Sequence, residues 1–345
     1  MTCLIIAAGK GIRLHQRGES KPLIPILGIP MIERIIRTAM EVGVDEFYVV
    51  TGYQCDHVCD FLERLAERLA IRITPLVNED WERENGLSVL KARDVLHESF
   101  LLLMADHLFE PSLARALTTL TLANKEIALM VDGETRNPLV DMEDVTRVRV
   151  EDGKIRDIGK GLSDFNGFDT GVFLCSPAIF EAIEQSKEKN SDSTLSGAVR
   201  VLAGKGLAKA IPVSGFWIDV DDPGAFRRAE KALLDRLRDK SNDGPISRYL
   251  NRPISVQFSR QLVKFDITPN QISLFSFLCS LLAAGLFALG GYIALLLGGV
   301  LAQFASIIDG CDGEVARLKY QSSDFGGWFD ESSRSDKLFP DFPGT

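Results

Sequence analysis

The sequence has no excess of basic residues. Its 39 Lys and Arg stand against 48 Asp and Glu, a formal net charge of −9. A surface of that sign repels phosphate backbones at long range, which excludes an obligate nucleic-acid binder. Small phosphorylated substrates remain open to it, because a few placed cations and a metal can serve them. Six cysteines (Cys3, Cys55, Cys59, Cys175, Cys279, Cys311) lie scattered through 345 residues. They read as buried apolar residues of a reducing compartment, and Cys55 and Cys59 lack the second pair that would complete a zinc site. The start, Met1-Thr2-Cys3-Leu4-Ile5-Ile6, lacks the basic region of a secretory signal, so a cytoplasmic N-terminal part is expected. The stretch from Ile272 to Ile308 contains no Asp, Glu, Lys, Arg or His. That is enough for two membrane crossings at about 20 residues each.

The length predicts about two domains. Residues 1–235 alternate short apolar runs with helical patterns, as in Cys3–Ala8, Met31–Ile36 and Glu46–Val50. Further strands are expected at Arg72–Val77, Phe100–Met104, Ile127–Val131 and Thr170–Leu174. This order predicts an α/β domain with a mostly parallel, Rossmann-like sheet, helices on both faces, and ligands at the carboxyl ends of the strands. Residues 236–270 are expected to form a linker and a juxtamembrane amphipathic helix whose basic positions Arg248, Arg252, Arg260 and Lys264 face anionic lipid on the cytoplasmic side, the alternative being a solvated linker. Residues 271–345 follow with the apolar run, which Gly290-Gly291 breaks near its middle. Two helices with both ends in the cytoplasm satisfy the positive-inside bias.

The turn after the first strand reads Ala7-Ala8-Gly9-Lys10-Gly11-Ile12-Arg13-Leu14, followed by Ser20-Lys21-Pro22-Leu23. Its glycines let backbone N–H groups face an anion, and Arg13 and Lys21 add positive charge around a triphosphate. It has neither the third glycine of a dinucleotide fold nor the Gly-Lys-Ser/Thr of a P-loop. Asp106 stands just past an apolar strand, and Asp219, Asp221 and Asp222 precede Pro223. Taken alone these acids also fit turn and helix-cap roles, Asp222 most plainly.

In combination these segments resemble the sugar-nucleotide type of nucleotidyltransferase. The resemblance implies that Ala7, Ala8, Gly9, Gly11, Arg13 and Lys21 bind the nucleotide. It also implies that Asp106 and Asp219, with Asp221 as the alternative to Asp219, hold Mg²⁺, or Mn²⁺ in its place, at the α-phosphate. Arg13, Lys21, Asp106 and Asp219 would be the catalytic set. Attack of a phosphate monoester on a nucleoside triphosphate brings two anions together, so cations must offset the repulsion, and no side-chain nucleophile is needed. By the same likeness Asn85, Gly86 and Ser88 lie near the base, although Ser88 also reads as a helix cap. Lys160, Gly167, Asp169 and Thr170 would face the acceptor, although Lys160 also reads as a surface charge.

After the apolar run comes Asp309-Gly310-Cys311-Asp312-Gly313-Glu314-Val315-Ala316-Arg317, then Gly326 and Asp330. Carboxylates three apart share a helix face, and Asp at a membrane boundary is costly without a partner such as a metal. The segment resembles the CDP-alcohol phosphotransferase signature. That implies a metal-bound CDP-alcohol against Asp309, Asp312 and Asp330, with Arg317 near a phosphate. The last carboxylate of the signature falls on Arg334, with Asp336 two residues late. A truncated chain or a shifted reading frame after about Asp330, without phosphotransferase activity, is therefore expected.

The fusion is similar to bifunctional enzymes that make CDP-inositol from CTP and L-myo-inositol 1-phosphate and then join it to a second inositol 1-phosphate. It implies a multi-pass membrane protein with its N-terminal domain in the cytoplasm, working at the lipid bilayer and not on nucleic acid. A homodimer is compatible with it. Two alternatives stand: a cytidylyltransferase for phosphocholine or glycerol phosphate, and a membrane-tethered binding module that has lost catalysis.

Overall fold

A computed structural model describes residues 1–123, 125–238 and 251–321. The chain divides into two compact units, Met1–Glu230 and Lys231–Thr345. The first begins with β1 (Thr2–Ala7), two 3-10 turns (Ile12–Arg17 and Lys21–Leu23), the small hairpin β2 (Pro25–Ile26) and β3 (Ile29–Pro30), α1 (Met31–Met40) and β4 (Glu46–Thr51). Next come α2 (Cys55–Leu69), β5 (Arg72–Val77), α3 (Asn85–Leu90), β6 (Phe100–Met104), β7 (His107–Phe109), α4 (Pro111–Thr118) and β8 (Ile127–Asp132). It continues through β9 (Arg147–Glu151), β10 (Lys154–Gly159), β11 (Gly167–Cys175), α5 (Ala178–Asn190), α6 (Leu195–Ala203), β12 (Ala208–Val213) and β13 (Trp217–Asp219). The division then falls within α7 (Pro223–Arg238).

Nine strands form one sheet in the order β5-β4-β1-β6-β11-β8-β12-β10-β9. Most of them run one way, and β11 and β10 are reversed. The central strands are unbroken apolar runs because helices cover both faces. Cys3, Leu4 and Ile5 in β1, Phe100 to Leu103 in β6, and Ile127 to Met130 in β8 are all fully buried. β1 pairs in parallel with β4 on one side and β6 on the other, with Ile5 opposite both Val49 and Leu103. The glycine turn after β1 and Asp106 after β6 thus leave the sheet at the same edge. A separate pair, β13 against β7, sets Asp219 opposite His107.

The second unit contains α8 (Arg252–Leu262), α9 (Pro269–Leu289) and α10 (Tyr292–Leu318). α9 starts on a capping box in which the Thr268 side chain accepts from the Gln271 amide and the Gln271 side chain returns to Thr268, with Pro269 in the first turn, a combination that fixes a helix start. Gly290 (φ 66°) and Gly291 (φ 80°) make the turn into α10, where a left-handed backbone favours glycine. At 21 and 27 residues, with mean hydropathy of 2.3 and 1.8, α9 and α10 are long and apolar enough to cross a membrane. Their large side chains stay exposed, Phe277, Leu282 and Ile293 among them at 64, 63 and 71%. Of the basic positions before them, Arg252 and Arg260 lie in α8, but Arg252 is drawn into the protein. Its guanidinium donates to the fully buried Glu314 at 2.9 Å, a correction to its expected place facing lipid or solvent. Arg248 lies outside the described residues.

Candidate nucleotidyl-transfer site

The turn after β1 curls over a cleft of about 600 Å³ lined by Ala7, Gly9, Gly11, Arg13, Lys21, Trp81, Asp106 and Asp221, among others. Gly11 sits at φ 62°, and a Cβ there would come within 2.5 Å of the Lys21 side chain. Only glycine fits, so turn and lysine are locked together. Leu14 is fully buried and anchors the turn from below. Ala8 points away: it is 4% or less exposed and its carbonyl accepts from the Tyr53 amide at 3.0 Å. Its part is to shape the loop, not to line the cleft.

The cations of the motif meet its carboxylates. The Lys21 ammonium, in a side chain only 10% exposed, donates to Asp106 Oδ2 at 2.5 Å and to Asp221. Arg13 donates to Asp221 Oδ2 at 3.2 Å and to Asp144 Oδ2 at 2.7 Å. Burial works against the charge of Lys21, yet Asp106 and Asp221 more than offset it and hold its pKa above the usual lysine value. Burial likewise opposes the charge on Asp106, and Lys21 and His107 reverse the balance, so its pKa lies below the usual carboxylate range. The His107 ring meets Asp106 Oδ1 at 2.9 Å and stands 3.8 Å from Asp219 Oδ1. Burial penalises its cation, but Asp219 and Asp106 prevail and lift its pKa to about 10.

Asp106, His107 and Asp219 each offer a possible ligand atom, all within 4.8 Å of one another, and they are the one group among the described residues whose geometry could hold a metal ion. Asp219 Oδ1 is sealed from solvent and has no hydrogen-bond partner, although the side chain as a whole is 34% exposed. Burial, followed by the nearby Asp106 and Asp221 charges acting against His107, pushes Asp219 up to about 7. An orphaned buried carboxylate oxygen beside a second carboxylate fits a hard divalent cation. Asp221 is instead taken up by Lys21 and Arg13, so Asp219 is the better placed of the two as ligand. Asp222 accepts from the Gly224 and Ala225 amides at 2.5 and 3.1 Å and caps α7.

A second, adjoining cavity of about 210 Å³ is lined by Asn85, Asp106, His107, Asp144, Lys160, Asp169, Asp219 and Asp221, among others. Lys160 reaches it and pairs with Asp144. Asp169 also faces it, accepts from the Gly171 amide at 2.8 Å, and is pushed by burial up to about 6. Two expected acceptor residues do not reach the cavity. The Thr170 hydroxyl, fully buried, donates to the Met130 carbonyl at 2.9 Å. Gly167 lies in β11, where a Cβ would come within 2.4 Å of Val131. Near the expected base site, Ser88 Oγ is buried and accepts from Asn78 at 3.0 Å, and Gly86 packs on the Ser193 carbonyl. Both are structural. Asn85 does face the cavity, with its side-chain oxygen accepting from the Leu195 amide at 2.9 Å. His107, Asp144 and Trp81 are the site residues that sequence reasoning missed. A histidine following the strand-end aspartate was the one signal available.

In the second unit Asp309 and Asp312 share the face of α10 turned to α9. Ser273 donates to Asp312 Oδ2 at 2.6 Å and Ser276 to Asp309 Oδ1 at 3.5 Å. Arg317 lies in the last turn of α10. Gly326, Asp330, Arg334 and Asp336, and with them the expectation of a lost signature carboxylate, lie outside the described residues.

A parallel sheet ending in a glycine turn, with paired carboxylates beside fixed cations, is the architecture of a nucleotidyltransferase. Known proteins agree. Residues 3–201 match the family of the MobA-like NTP transferase domain, and residues 266–339 match CDP-alcohol phosphatidyltransferase. The protein named bifunctional IPC transferase and DIPP synthase in Rubrobacter xylanophilus is 38% identical over 330 residues, covering 94% of this chain and 72% of that one. Its namesake in Aquifex aeolicus is 35% identical over 334 residues, at 95% and 73% coverage. The chain belongs to this family of bifunctional transferases. Among solved structures, the inositol-1-phosphate CTP transferase of T. maritima aligns with a TM-score of 0.58 and 24% identity, over 67% of this chain and 93% of that one. UDP-glucose pyrophosphorylase complexed with UDP-glucose aligns at 0.57 and 21%, over 68% and 98%. These two show the shared fold.

Proposed function

We propose that the first unit transfers CMP from CTP to L-myo-inositol 1-phosphate, releasing pyrophosphate and CDP-inositol. The observation that carries this reading is the convergence of Arg13, Lys21, Asp106 and Asp221 on one cleft, beside a second cavity that shares Asp106 and Asp221 with it and holds Asp219 and Lys160. The triphosphate lies under the glycine turn with Arg13 and Lys21 as its counter-charges. The acceptor phosphate lies toward Lys160, and its oxygen attacks the α-phosphorus as the bond to the β-phosphate breaks and pyrophosphate leaves. The acceptor is already ionised near neutral pH, so the residues here position charges and do not remove a proton. Asp106 and Asp219 would hold Mg²⁺, which supplies charge neutralisation at the α-phosphate, and His107 orients Asp106 from behind.

The inositol assignment is supported by the names of the relatives and of the fold neighbour. The second unit, with Asp309 and Asp312 at the end of an apolar helix, is read as the CDP-alcohol site that uses the product, held in a membrane by α9 and α10 with the first unit in the cytoplasm. Pyrophosphate release from each of the four nucleoside triphosphates, with inositol 1-phosphate, phosphocholine or glucose 1-phosphate as acceptor, tests the reading. Release with CTP and inositol 1-phosphate is expected. No release with any pair, or release with CTP and phosphocholine alone, would overturn it.

A further inference from the structure

Asp106, Lys21, Asp221, Arg13, Asp144 and Lys160 form an unbroken row of alternating charge, each in hydrogen-bonding contact with the next. Five of the six stand in the segments that mark the site. Asp144 does not: it comes from the connection between β8 and β9 and joins the two halves of the cleft. Its Oδ2 takes Arg13, from the nucleotide turn, at 2.7 Å, and its Oδ1 takes Lys160, from the acceptor side. Hydrogen bonds from Lys160 and then Arg13 hold its carboxyl down to about 2, so it is ionised at any working pH. Its side chain is 27% exposed and lines the smaller cavity. In this state Lys160, the cation read above as the partner of an acceptor phosphate, already carries an internal anion.

We propose that Asp144 sets the specificity of the acceptor subsite: an incoming alcohol phosphate displaces it from Lys160, and the released carboxylate accepts hydrogen bonds from the hydroxyls of the alcohol. The inference rests on the nucleotidyl-transfer reading above. A simple dianion also has to displace Asp144 but brings no hydroxyl donor in return, so it stands against an unrelieved negative charge a few ångströms away. The subsite therefore rejects bare oxyanions and admits phosphorylated polyols, although both present the same charge to Lys160.

The test uses the full chain in detergent with CTP and inositol 1-phosphate, and inorganic sulfate as the competing dianion at constant ionic strength. In Asp144→Asn the inhibition constant for sulfate should fall about tenfold, while KM for inositol 1-phosphate rises severalfold. Asp144→Glu, which keeps the charge, should exclude sulfate about as well as the parent chain. In the Asp144→Asn/Lys160→Met double variant the gain in sulfate affinity should vanish, because Lys160 is what sulfate gains. A merely structural role would weaken sulfate and acceptor together, so an unchanged or weaker sulfate inhibition in Asp144→Asn overturns the inference. If the parent chain itself releases no pyrophosphate from this pair, the functional reading fails instead.

Discussion

The two units both gather carboxylates, but they balance them differently. In the first, the carboxylates of the cleft face built-in cations, Lys21, Arg13 and Lys160. In the second, Asp309 and Asp312 accept from the serine hydroxyls of a neighbouring helix, and it is the fully buried Glu314 that meets an arginine. The pairs that Asp144 makes with Arg13 and Lys160, whose side chains are 53 and 61% exposed, can be exchanged for an entering phosphate, since each cation stays solvated while apart. Helices rich in exposed Leu and Phe cannot release charges so freely, and neutral hydroxyl donors satisfy a carboxylate without cancelling its charge. On the functional reading proposed above, the first site would work by exchange of partners, whereas the second would keep its negative charge for a metal.

The sharpest way to break this comparison is Asp106→Ala. Pyrophosphate release should fall by about 10³-fold or more, because both the metal ligand and the partner of Lys21 go, while the melting curve of the first unit is kept. Retained turnover would mean that the cation is held elsewhere. Glu314→Ala comes next. It strands Arg252, Ser255 and Ser259, which converge on the Glu314 carboxylate at 2.9, 2.6 and 2.7 Å. Breaking such a buried pair costs about 3–5 kcal/mol, visible as a lower melting point in detergent or as new protease cleavage near α8. Pyrophosphate release should stay within about twofold if the units work separately; a parallel loss would show that they do not.

Lys21→Met should lower kcat/KM by about 10²-fold through loss of a fixed counter-charge. Lys21→Arg should recover little of it, since the compact ammonium sits between Asp106 and Asp221, a geometry that a planar guanidinium on a different stem does not reproduce. Recovery by arginine would reduce Lys21 to a general positive charge. The smallest effect is expected for Thr170→Val, which removes a buried hydrogen bond to Met130 at a cost of about 1 kcal/mol and leaves KM for the acceptor unchanged. A raised KM would put Thr170 back among the acceptor contacts.

Much of the first site was legible because its parts sit where strand ends must place them. An apolar run that stops at glycines, or at a single aspartate, marks the edge of a parallel sheet, and Gly9, Gly11, Arg13, Lys21 and Asp106, which line one cleft, could be singled out that way. Asp219 was legible only as one of three acids in a row. What separates them is the pairing of β13 with β7, which turns Asp219 to His107, leaves Asp221 to Lys21 and spends Asp222 on a helix cap. Asp144 carried no signal, because the connection between β8 and β9 has neither periodicity nor a motif. Thr170 and Ser88 misled for the opposite reason: a hydroxyl beside a motif looks like a ligand contact until its own buried partner is seen. The break at Gly290-Gly291 and the two apolar helices were plain, since a run without charge admits few alternatives.

The sequence by itself determined the class of each unit, because hydropathy, glycine placement and the order of acids and bases are properties of neighbours along the chain. It determined as well that one part is an α/β enzyme and the other a pair of apolar helices. The tertiary structure alone decided which carboxylate meets which cation. Asp106, Asp221 and Asp144 come from connections 38 to 115 residues apart, and whether each finds Lys21, Arg13, Lys160 or a metal depends on strand register and burial. Electrostatic partnership falls off with distance in space, not along the chain.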